Sequence, residues 1–303
     1  MTNRLVAPVL LCGRYFNLQE LLEIQEMVRM FPKLSRDELT KTLCENLDWV
    51  TPAGQYKRAS CLQLLEKMER QGLITLPAKR EPWGANKTKA KEIVFSTRTA
   101  PASPVEGFLG DHEPLAVEPV QAKSSDFMLW NEYIHRYHTL GYKTPFGAHQ
   151  RYFIVSGSGE KLGCLLFAAA AWALAPRDEW IGWSEVDRSL KLNLVVNNTR
   201  FLVFPWVKLK NLASRALSLA VKRIRHDWQA RYCYSPVLLE TFVDASKYRG
   251  TCYRAANWIF LGQTAGRGRM DRYKKRLLTR KDIYVYPLVS DFRDHLQGEA
   301  NHE

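Results

Sequence analysis

Residues 201–268 constrain this chain most, because they read as strand, short loop, helix, strand and helix, an order that few folds accommodate. Phe201-Leu-Val-Phe-Pro-Trp-Val207 is an apolar run of buried-strand type. Leu212, Ala216, Leu219, Ala220, Ile224 and Trp228 then recur at three- and four-residue spacing. Ser214 stands near the start of this helix, and Lys222, Arg223 and Arg225 stand toward its end, where the helix dipole favours cations. Residues 236–243 read as a second buried strand, and a second helix is expected from Thr251 to about Leu261, stopped by Gly262. Strands joined through a helix imply parallel pairing with a right-handed crossover.

The 303 residues have room for one large or two medium domains, and 46% hydrophobic content is enough for a real core. The 44 Lys and Arg against 31 Asp and Glu leave a net charge of +13, which points to a polyanionic partner, nucleic acid first. Six scattered cysteines form no C-x-x-C pair, so neither a disulfide framework nor a zinc site is indicated and a reducing cytoplasm is expected. No apolar run reaches membrane-spanning length, and the N-terminus has no signal-peptide pattern.

Leu18, Leu21, Leu22, Met27, Val28 and Phe31 predict a first helix, ended by Pro32. Ser35-Arg-Asp-Glu38 is a capping box that opens a second helix. A third spans 58–70 and leads through Gly72 into an extended piece, 73–76, closed by Pro77. Three helices and then a strand are the order of a winged helix-turn-helix, so residues 1–76 are expected to be a winged-helix-like DNA-binding domain. Arg58 and Lys67, on the exposed side of its third helix, are the expected DNA contacts. Residues 77–125, rich in Pro, Ala and Lys, read as linker. From 126 to 303 a helix, a hairpin (151–155 and 161–167), and the central unit predict a mixed α/β domain with helices on both faces of its sheet. Its densest cationic stretch holds Arg267, Arg269, Lys274, Lys275 and Arg276 with Tyr273 among them, a combination suited to gripping phosphates and stacking on bases.

Three segments carry a family resemblance: Leu194-Val-Val-Asn-Asn-Thr-Arg-Phe201, Asn211-Leu-Ala-Ser-Arg215, and Leu239-Glu-Thr-Phe-Val-Asp244 with Arg249-Gly-Thr-Cys-Tyr-Arg-Ala-Ala-Asn-Trp258. They resemble the DruA family of the Druantia anti-phage defence system, whose related domains occur with bacterial transposases. The resemblance implies a DNA-associated defence component with other defence proteins as partners. The element order also resembles the GNAT acyltransferase fold, above all its Mom-like phage branch, which modifies DNA adenine. That likeness implies an acyl-CoA pyrophosphate held by the loop Lys208-Leu-Lys-Asn-Leu-Ala213, where the family pattern is Gln/Arg-x-x-Gly-x-Gly/Ala. Asn211 replaces the first glycine and tolerates a left-handed backbone, Ala213 keeps the second position small, Lys208 and Lys210 add charge, and Ser214 caps the helix or donates to an anion. The tyrosine acid of that fold is replaced by Trp258 at its usual distance from Gly262, which leaves Tyr253 as proton donor and Asn257 to orient an acceptor.

Three functions stay open on these residues. One is group transfer onto a base or amine through Tyr253 and Asn257. Another is a non-catalytic subunit that recognises DNA. The third is magnesium-dependent DNA nicking, associated with mobile elements, by Glu240 and Asp244; four residues apart on a regular strand they stand roughly 13 Å from each other, so the strand would have to end before Asp244. His135 and His138 have a zinc-compatible spacing without further ligands, and no metal site is expected.

Overall fold

The computed structural model describes residues 9–11, 13–32, 34–78, 95–143, 145, 147–264 and 279–298. Two compact units divide the chain, residues 1–93 and 94–303.

The first unit opens with a hairpin, β1 (Val9–Leu11) and β2 (Arg14–Phe16). Helices α1 (Leu18–Met30), α2 (Arg36–Asn46) and α3 (Arg58–Arg70) follow. Both α1 and α2 start in capping boxes: the Glu20 amide donates to Asn17 Oδ1 at 2.9 Å, and the Glu38 amide to Ser35 Oγ at 3.2 Å. Leu21, Ile24, Leu39, Leu43, Cys61, Leu64 and Leu65 close a core around Phe16 and Trp49. The three expected helices are present. The expected wing is different: residues 73–77 join no ladder among the described residues, and the paired strands precede α1 instead.

The second unit is a mixed sheet with helices on both faces. In chain order its elements are β3 (Ala116–Pro119), α4 (Ser125–Tyr137), β4 (His149–Val155), β5 (Lys161–Ala169), α5 (Ala175–Ile181), α6 (Glu185–Lys191), β6 (Val195–Val203), α7 (Leu212–Tyr232), β7 (Leu238–Asp244), α8 (Thr251–Ala255), β8 (Ile259–Gln263), β9 (Lys281–Pro287) and α9 (Phe292–Leu296). The seven strands lie in the order β3-β4-β5-β6-β7-β9-β8, with β6 and β7 parallel and every other pair antiparallel. One parallel pair joined through one long helix is what the central unit predicts, and antiparallel strands flank it on either side. On one face α4 sets Tyr133 edge-on to Phe153 of β4; on the other α7 takes the Tyr152 hydroxyl on Asp227 at 2.9 Å. The α7 stripe of Leu212, Ala216, Leu217, Ala220, Ile224 and Trp228 is buried. No helix among the described residues is long and apolar enough to cross a membrane.

Three boundaries differ from expectation. Of the residues expected as linker, 95–125 belong to this unit: β3 is an edge strand paired with β4, and Val105 exchanges backbone hydrogen bonds with Trp206 and Lys208 at 2.9 and 2.8 Å. The strand expected at 201–207 runs over 195–203, because Asn197, Asn198, Thr199 and Arg200 are polar residues inside it, with a register shift opposite Leu166 and Phe167. The second helix stops at Ala255. Asn257 adopts a left-handed conformation (φ +62°), and the residues beyond it form β8, whose apolar pattern alone does not tell strand from helix.

Candidate functional site

The parallel pair is short. Its ladder runs from Val195 opposite Leu238 to Asn198 opposite Thr241; beyond it β6 continues to Val203 along β5 and β7 to Asp244 along β9, no longer paired with each other. Such a parting of neighbouring strands exposes backbone donors and acceptors on both edges, and ligands favour openings of this kind in α/β sheets.

Tyr253 fills the parting. Gly250, with φ +64°, turns the chain into α8; a Cβ built there would collide with the ring of Tyr284. The turn brings the Tyr253 hydroxyl onto Asn198 Oδ1 at 2.7 Å, while Thr241 Oγ1 stands 3.4 Å away, so the last rung of the ladder is tied from above. Phe201 meets the Tyr253 ring edge-on at 6.3 Å, Trp258 does so at 5.1 Å, and Tyr284 stacks on it at 5.8 Å. The residue is 6% exposed, and burial pushes its phenol well above the ordinary tyrosine range. A hydroxyl sealed in this way keeps its proton and donates to Asn198.

The loop expected to hold a pyrophosphate has a mixed character. Asn211 adopts the left-handed backbone expected of it (φ +67°, ψ 0°) at the start of α7. The Ser214 hydroxyl donates to Asn211 O at 3.1 Å, and the Ala213 and Ser214 amides have no acceptor among the described residues. Lys210 is exposed; Lys208, exposed as well, pairs with Glu106 at 2.9 Å across solvent, and its amide donates to Val105 O. The loop is therefore a helix start with one free lysine, and the parting beside it is closed by an aromatic ring.

Glu240 and Asn257 are not in the parting with Tyr253. Glu240 lies on the opposite face of β7, 0% exposed; Arg177 Nη1 donates to its Oε2 at 2.7 Å, and the Ala171 amide and Asn197 Nδ2 donate to its Oε1 at 2.7 and 3.3 Å. Arg177 donates onward to Asp178, which accepts from Trp183 Nε1 and Arg188 as well. β7 does not end before Asp244, whose carboxylate instead caps a turn by accepting from the Ser246 hydroxyl and amide. Glu240 is thus the buried partner of an arginine, and the carboxylate pair offered for magnesium is corrected to one ion pair and one turn cap. No group of acids, His and Cys able to hold a metal occurs among the described residues. Asn257 is exposed, and its backbone, not its amide, has the local task of ending α8.

Of the expected DNA contacts, Arg58 is exposed on α3 and forms a double hydrogen bond with Asp37, at 2.9 and 2.8 Å. Lys67 is half-buried on the same helix. Arg267, Arg269, Lys274, Lys275 and Arg276 lie outside the described residues. Sequence reasoning missed Asn198 and Thr241, which hold Tyr253, and Arg177, which matches Glu240. The run Asn197-Asn-Thr-Arg200 is the signal that was available, since adjacent amides in a strand need partners across it.

No curated protein matches this sequence. Among solved structures, the chain is similar to the spermidine N-acetyltransferase of Vibrio cholerae in complex with CoA and spermine, at 7% identity over 57% of this chain and 95% of that one, with a TM-score of 0.37. It is similar to the spermidine/spermine N-acetyltransferase of the same organism with manganese ions, at 9% identity over 59% and 95%, TM-score 0.33. A provisionally assigned acyl-CoA N-acyltransferase from Klebsiella pneumoniae matches at 13% identity over 58% and 99%, TM-score 0.34. Superpositions at these scores assign this chain neither ligand nor activity. The model of the family described as Druantia protein DruA matches residues 67–277, more than half of the chain, and the chain belongs to that family.

Proposed function

We propose that this protein is a DNA-recognising component of anti-phage defence whose GNAT-like domain serves as a binding scaffold and transfers no acyl group. Membership of the DruA family makes it a component of a defence system. The observation that carries the rest is Tyr253, whose ring stands at the parting of β6 and β7 and whose hydroxyl is committed to Asn198. An acyl chain entering there would have to break that bond and displace three ring contacts. The residues present do not fit an acyl-CoA, with Lys208 held by Glu106 and no glycine in the loop. The +13 net charge supports a polyanion as partner, and the three-helix first unit supports duplex contact through Arg58 and Lys67 in a winged-helix-like mode. Other proteins of the defence system are the expected partners in the cell.

Two measurements test this reading together. Gel shift across a salt series should give binding that weakens steeply with salt. Mass spectrometry of DNA and protein after incubation with acetyl-CoA should find no added acyl group. An acetylated base or amine would overturn the scaffold reading, and the free Ala213 and Ser214 amides are where its cofactor would then be sought.

A further inference from the structure

Where α4 packs on the sheet, two arginines have no matching acid among the described residues. Arg151 on β4, Leu166 on β5 and Arg200 on β6 lie in one row across three neighbouring strands. At a strand spacing of about 4.8 Å the two arginines stand roughly 10 Å apart. Arg151 lies over the rings of Phe127 and Trp130 from α4 and donates to the Tyr142 hydroxyl at 3.0 Å. Arg200 Nε donates to Gly141 O at 3.2 Å and its Nη1 to Thr199 O at 2.7 Å. Both guanidiniums thereby hold the turn that follows α4.

Among the described residues, neither arginine forms an ion pair. Arg151 is 3% exposed, and its Nε is buried without an acceptor. Among the described residues most N–H donors of Arg200 likewise have no acceptor. His138 Nδ1 accepts from the Leu140 amide at 3.2 Å, which leaves the proton of the neutral ring on Nε2, and Lys143 is exposed on the same turn. The hydroxyl of Thr199, the residue before Arg200, is buried without a partner among the described residues. Burying a cation without a counter-charge is costly, and aromatic faces offset only part of that cost, so an anion with several acceptor oxygens would be favoured here. Phosphate matches the planar donor fork of a guanidinium.

We infer that Arg200, His138 and Lys143, with Arg151 holding their turn in place through Tyr142, form a binding site for a backbone phosphate of nucleic acid. The site rests on the DNA-recognition reading and locates one of its contacts in the second unit. Arg200 and Lys143 touch the phosphate, and Arg151 is a positioning residue.

The full chain is titrated into fluorescein-labelled single-stranded and duplex oligonucleotides, with anisotropy read over a salt series. Arg200→Gln and Lys143→Gln should each weaken binding about tenfold and lower the log–log salt slope by about 1, whereas Arg151→Met should weaken binding with little change of slope. Lys222→Gln, an exposed lysine on α7, is the control and should bind as wild type. Thermal melts establish that each variant is folded. If Arg200→Gln and Lys143→Gln keep both affinity and slope, the site does not exist. Should the wild type bind neither oligonucleotide, the DNA reading fails on its own, and inorganic phosphate then tests the site through Trp fluorescence. An Arg200-dependent change keeps a phosphate site; no such change overturns it.

Discussion

Two buried arginines on the same sheet are treated in opposite ways. Arg177 is 0% exposed and surrounded by acceptors: Glu240, Asp178 and the Ala171 carbonyl, with Trp183 under its guanidinium. Arg151 is nearly as deeply placed, yet among the described residues its guanidinium meets three aromatic rings and one phenol oxygen. A charge matched by carboxylates is invisible from outside, and its removal is felt as lost stability. A charge matched only by ring faces still projects a positive potential, so its removal is felt at the surface.

The largest effect should come from breaking the matched side. Glu240→Ala leaves Arg177 without one of its two carboxylates in a dry interior, and urea unfolding should show a loss of about 3–5 kcal/mol. A value near zero would mean that the ion pair is not formed in solution. Next comes His138, beside the unmatched arginines. Burial and the nearby Arg200 lower its imidazole from 6.5 to about 4. The unfolded chain therefore takes up this proton first, and the His138 contribution is complete above about pH 6.5 and lost as pH falls toward 4. With partial exposure discounted, this is about 2 kcal/mol. His138→Gln should flatten that limb of the stability profile, and an unchanged profile would place the ring in water.

Tyr253→Phe removes the bond to Asn198 and leaves the amide oxygen unsatisfied, for a loss of about 1–2 kcal/mol by the same unfolding measurement. If the variant instead gains affinity for acetyl-CoA in calorimetry, the parting is a slot that the hydroxyl keeps shut. The smallest effect sharpens the contrast most: Arg151→Met, apolar and of similar length, leaves no carboxylate unpaired and should cost about 1 kcal/mol or less.

The helices were legible because their signals are local. Ser35 and Glu38 meet within one turn of backbone, and the α7 stripe repeats along a single element. The parallel crossover was legible for a similar reason, since a strand, a long helix and a strand leave few alternatives. The middle of β6 was not, because Asn197 and Asn198 are acceptable in a strand only when Glu240 and Tyr253, 43 and 55 residues further on, are there to receive them. Glu240 looked catalytic for the same reason: a carboxylate on a strand is a candidate until its arginine is known. α8 and β8 misled in the other direction, since a short apolar run satisfies both periods and the ladder with β9 chose the strand.

Sequence alone determined the three helices of the first unit, with the capping box that opens the second helix, the single parallel crossover of the second unit, the cationic balance and the family. Tertiary structure decided which charges are spent and which are left over. Near-neighbour order is written in the chain because a helix turn or a cap closes within a few residues, whereas the partner of a buried charge is fixed by strands that meet only after folding.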